Sequence, residues 1–104
     1  MRALFVPLRT EYFNQFADGS KSIEYRRHTR QWTAKHCYPG RLVVLSHGYS
    51  GRRLSAVIEH FEVRVMDSKV YGPQAELSLI HLRLVPATPS QTESIDPTSL
   101  DFAP

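Results

Sequence analysis

One hundred and four residues suffice for a single domain with one modest core, so no second domain is expected. A lone cysteine, Cys37, excludes an internal disulfide framework and any zinc site built on paired cysteines. The formal charge of +3 hides an asymmetry: every Lys and Arg precedes position 84, whereas Glu93, Asp96 and Asp101 lie beyond it.

The basic density peaks in residues 21–53, where Lys21, Arg26, Arg27, Arg30, Lys35, Arg41, Arg52 and Arg53 face a single acid, Glu24. That footprint suits phosphate groups, and it equally suits a basic surface kept for solubility. No apolar run approaches the length of a membrane span. The first residues lack the long apolar region of a signal peptide, since Pro7 interrupts them. The expectation is a cytoplasmic protein without a membrane partner.

In chain order, residues 1–9 carry Leu4, Phe5, Val6 and Leu8 around Pro7, a pattern for a strand whose edge tolerates a missing N–H. Thr10 then offers an N-cap oxygen, Glu11 suits the first helical turn, and Tyr12, Phe13 and Phe16 recur at near-helical spacing before Gly19 stops the helix. Phe13 and Phe16 are read as core. Residues 22–28 form a second strand, with Ile23 and Tyr25 on one face and Ser22, Glu24 and Arg26 on the other. Period two thus sets Glu24 beside Arg26, either as an ion pair or as two walls of a polar pocket.

Residues 29–37 predict a short second helix stopped by Tyr38-Pro39-Gly40, and its Trp32 is read as core or lid packing ahead of base stacking. Residues 42–45 are a continuous apolar run, hence a buried strand, closed by the glycine-punctuated 46–51. Residues 54–65 and 75–85 are long strands whose apolar positions change parity, the first near Glu59, which predicts a bulge there. Asp67, Gly72 and Pro73 make 66–74 a connection. Beyond residue 85, prolines, serines and threonines dominate, which predicts a mobile acidic tail over 86–104 behind a domain of 1–85. The fold class expected is α+β, mainly β: a small curved barrel with two helices.

For chemistry, His28, His36, His47, His60 and His81 are scattered without a zinc-helix spacing, so no metal is expected. Ser46-His47 are chain neighbours whose side chains leave a strand on opposite faces, which is no nucleophile–base pair. The glycines of 48–51 lack the Lys-Ser pair and the helix of a phosphate loop. Lys21, Glu24 and Arg26 survive this sieve. A lysine at a strand mouth holds an anion, or serves as a base where burial lowers its pKa.

The run Gly19-Ser20-Lys21-Ser22-Ile23-Glu24-Tyr25-Arg26, reached through a strand and a short helix, resembles the Gly-x-Lys-x-x-Glu-x-Arg signature of ASCH domains, a branch of the PUA-like superfamily. The resemblance extends through Trp32, through Pro39-Gly40 before an apolar strand, and through Ser46-x-Gly48-Tyr49 before an arginine-rich turn, so it spans about the first 65 residues. It implies a mixed β-barrel of five or six strands with two short flanking helices, and a cleft into which Lys21, Glu24 and Arg26 project. RNA binding follows from the same resemblance. Some members are amidohydrolases of N4-acetylcytidine that use a lysine, a threonine three residues on and a distant glutamate; Lys21 matches the lysine, but Glu24 stands in the threonine's place.

Two functions therefore compete. In the first, a binding module for RNA or a nucleotide uses Lys21, Arg26, Arg27 and Arg52 on phosphates, Glu24 on a base edge, and Trp32 or Tyr49 for stacking, with Ser46 in the same set and no cofactor. In the second, Lys21 and Glu24 are catalytic in a small hydrolase acting on a modified nucleoside or on RNA. The missing threonine favours binding. A third reading makes the charged network a device that merely closes the barrel.

Overall fold

The computed structural model describes residues 2–86, so the tail expected over 86–104 lies, but for Pro86, outside the described residues. Five strands and one helix follow in the order β1 (Leu4–Leu8), α1 (Thr10–Asp18), β2 (Ile23–Arg27), β3 (Leu42–His47), β4 (Arg53–Ser68) and β5 (Gly72–Val85). The strands make one mixed sheet in the order β1-β3-β4-β5-β2. Among the described residues β1 and β3 run parallel and the other three pairs are antiparallel. The sheet curls into a half-barrel with β1 and β2 as its two edges.

Curling follows from β4 and β5, the long central strands. Ile58 pairs with Leu82, but the next aligned pair is His60 with His81, so Glu59 is the extra residue of a bulge. This is the bulge that the parity change near Glu59 predicts. An extra residue bends the strand and increases its twist, which turns a flat ladder into a curved one.

The main core fills the concave side. Leu4, Val6 and Leu8 of β1, Val43 and Leu45 of β3, Ala56 and Ile58 of β4, and Ile80 and Leu82 of β5 meet Phe13 and Phe16 of α1. Both phenylalanines are buried as expected, each stabilising the fold by about 1.5–3 kcal/mol. α1 ends at Gly19, whose φ of 86° is left-handed and whose N–H bonds to the Phe16 carbonyl. Its start differs from expectation. Arg9 occupies the N-cap, and Thr10 instead joins its Oγ1 to His47 Nε2 at 2.7 Å, tying the helix to the end of β3.

Two further expectations change. Residues 29–37 form turns, so α1 is the one helix among the described residues. Trp32 N–H reaches Thr29 O and His36 N–H reaches Thr33 O, both one residue short of helical registry. Burial of Trp32 and Cys37 in the core outweighs weak local helix propensity. The connection expected over 66–74 shrinks to 69–71, because polar side chains cap a tight hairpin: Ser68 Oγ accepts from Val70 and Tyr71 N–H, and Asp67 Oδ1 from Gln74 N–H. β4 and β5 thereby extend beyond β3, which pairs only with residues 53–57 of β4, and past β2, which pairs with residues 77–81 of β5, as a two-stranded hairpin.

Candidate functional site

A sheet that curls without closing brings its two edges face to face. Here Arg26 of β2 donates from Nη2 to the Pro7 carbonyl of β1 at 3.0 Å, so a side chain spans the seam where main-chain pairing stops. Pro7 has a carbonyl to offer there and no N–H. Beside this bridge opens a cleft of about 120 Å3. Its walls come from β1 and the start of α1 (Pro7, Leu8, Arg9, Tyr12), from β2 and the residue before it (Lys21, Glu24, Tyr25, Arg26), and from the β4–β5 hairpin (Ser68, Val70, Tyr71).

The charged residues at its centre are buried. Glu24 and Arg26 are 6% and 2% exposed, and Arg26 Nε donates to Glu24 Oε2 at 2.7 Å. The alternation read from sequence accounts for this, since Glu24 pairs with Ile80 and Arg26 with Ser78, both buried. The guanidinium carbon lies 4.7 Å from the Trp32 ring centroid, a cation–π contact. Its Nη1 is buried and has no hydrogen-bond partner among the described residues.

Lys21 stands at the same carboxylate from the other side, with Nζ 3.9 Å from Glu24 Oε1. The rings of Tyr25, Tyr12 and Phe16 surround its ammonium at 4.9, 5.4 and 5.5 Å. Loss of hydration lowers its pKa from the ordinary lysine value, an effect that Glu24 opposes and Arg26 reinforces. Burial likewise raises the phenol pKa of Tyr71 across the cleft. The arrangement is an anion-and-aromatic site: two or three cations, one fixed carboxylate acceptor, and tyrosine rings on the walls.

Of the eight residues singled out from sequence, Lys21, Glu24 and Arg26 converge on the cleft. Arg27 stays on its rim, with its guanidinium 5.2 Å from the Tyr71 ring and Nη2 bonded to the Tyr71 carbonyl. Trp32 is 5% exposed and lies against Arg26, so it backs the guanidinium and presents no open stacking plane. Ser46 is fully buried in β3. Tyr49 and Arg52 sit on the loop between β3 and β4, against Phe5 and Phe13 respectively, and neither lines the cleft.

Sequence reasoning missed Arg9, Tyr12, Ser68, Val70 and Tyr71 as cleft residues. Tyr12 carries a faint signal, being only partly buried on a helix whose Phe13 and Phe16 take the core. Tyr71 carries none, because it arrives 46 residues after Tyr25 through a hairpin that folds back over β2. In comparisons with known proteins, no family model matches the chain and no curated protein sequence matches it.

Proposed function

We propose that this chain is an ASCH-like, PUA-like domain that binds single-stranded RNA or a nucleotide in the seam between β1 and β2. The observation that carries the reading is the convergence of Lys21, Glu24 and Arg26 on one open cleft, together with Arg9, Tyr12 and Tyr71. The order strand, helix, signature strand within a curled mixed sheet supports the family assignment. At about 120 Å3 the cleft is smaller than the roughly 300–1,000 Å3 of sites that enclose a whole drug-sized ligand. It therefore suits one base or one phosphate end, with the rest of the strand outside. Glu24 accepts from a base edge, and Arg9 and Lys21 meet phosphate.

Fluorescence anisotropy with a labelled single-stranded RNA tests this. The expected result is affinity that falls with salt, with a slope reduced by about 0.7 for each phosphate contact removed, as in Arg9→Ala. An affinity flat in salt and indifferent to Arg9→Ala and Lys21→Ala would refute the reading.

One observation favours a hydrolase as the second reading: burial lowers the pKa of Lys21, and Glu24 lies beside it. A desolvated lysine near a carboxylate suits general base work on a modified nucleoside such as N4-acetylcytidine, or on RNA. Product formation that Lys21→Ala abolishes supports it; no product from either substrate sinks it.

A further inference from the structure

The face of the β4–β5 ladder opposite Ile80 and Leu82 of the main core holds a second polar cluster, made of residues that do not line the cleft. His60 and His81 are cross-strand partners with rings in edge contact at 5.0 Å, and Glu62 follows His60 on the same face. Oε2 of Glu62 lies 2.8 Å from His81 Nε2 and 3.9 Å from His60 Nε2. All three ligand atoms fall within 4.8 Å of one another. We propose that His60, Glu62 and His81 bind one divalent transition-metal ion of the zinc class, leaving its remaining coordination positions open to water.

Geometry supports the assignment. Tetrahedral zinc with bonds of about 2.0–2.1 Å places its ligand atoms about 3.4 Å apart. The two glutamate–histidine separations of 2.8 and 3.9 Å bracket that spacing and the whole set lies within 4.8 Å, so modest side-chain adjustment brings the atoms into place. Two imidazoles and one carboxylate match zinc, copper or nickel, whereas calcium and magnesium need a shell of oxygens. Arg64 donates to the other carboxylate oxygen, Oε1, at 2.6 Å, which orients Oε2 toward both rings.

The backbone supplies a second, independent argument. Strict alternation would place His60 on the same face as Ile58, which is buried in the core. The extra residue Glu59 turns His60 to the opposite face and sets it against His81. The half-site thus depends on the bulge, and bulges concentrate where a side chain must be re-aimed. His60 exposes most of its side chain, and Glu62 and His81 about a quarter each, so an ion has direct access. Sequence spacing cannot show the site, because the two histidines are brought together only by strand register.

The test uses tag-free, chelator-stripped protein, titrated calorimetrically with Zn2+ and followed in parallel by the visible absorption of Co2+. The expected result is one ion per chain, with tetrahedral-type Co2+ absorption, weakened at least about tenfold by His60→Ala, by His81→Ala and by Glu62→Gln. His36→Asn, at a histidine outside the cluster, leaves binding unchanged. All substituted positions are at least partly exposed, and thermal melts confirm that each variant folds. Absence of saturable binding by the wild type, or binding that the His60 and His81 variants leave intact, overturns the proposal.

Discussion

Replacing Glu24 by Gln removes one charge from the centre of the seam with almost no change in volume. The carboxylate contacts two cations, Arg26 at 2.7 Å and Lys21 at 3.9 Å, and Arg26 is 2% exposed. Breaking a buried pair from one side leaves an uncompensated charge away from water, at a cost of about 3–5 kcal/mol. For a domain whose total stability is about 5–15 kcal/mol, that is a large fraction. At about 4 °C or more per kcal/mol, the melting temperature should fall by at least roughly 12 °C.

Arg26→Met should cost less, because Glu24 keeps Lys21, although the Pro7 carbonyl loses its donor. The double variant should fall short of the sum of the single costs by about 1–3 kcal/mol, the signature of direct coupling. Urea denaturation followed by circular dichroism and by Trp32 fluorescence measures all three. A cost for Glu24→Gln below about 1 kcal/mol, or strict additivity, would show that the pair does not hold the seam.

Gly19→Ala should cost about 1 kcal/mol through its left-handed backbone alone, since a Cβ there meets nothing within 4 Å; Gly51→Ala should cost more in the same melts, because its Cβ collides with the His47 carbonyl. Cys37 is fully buried and its thiol pKa is pushed up to about 12, so iodoacetamide at pH 8 should label it only in denaturant; labelling of the native protein at the denatured rate contradicts the burial. For Lys21, burial lowers the folded-state pKa below the unfolded value of 10.5, so the folded state holds fewer protons between the two. Wild type should therefore gain stability relative to Lys21→Met as pH rises through that window, and a difference independent of pH would show that the ammonium is not desolvated.

Much of the local structure was legible because it depends on neighbours in the chain. The helix stop at Gly19, the core role of Phe13 and Phe16, and the bulge near Glu59 follow from conformational preference and from the parity of apolar residues. The second helix failed for the converse reason. Trp32 and Cys37 sit in a stretch compatible with a helix, but tertiary burial sets their backbone.

Period-two alternation placed Glu24 beside Arg26, whereas Lys21, three residues before Glu24, falls on the other parity, and only the resemblance to the signature implied that it shares their cleft. What those charges face was decided only by the fold. The curl of the sheet carries β1 to β2, the hairpin returns Tyr71 over the seam, and the burial of Trp32 against Arg26 withdraws that ring from any ligand. His60 and His81 meet by the same logic. Strand register and sheet curvature join residues distant in sequence, and a one-dimensional pattern carries no record of which distant positions will meet.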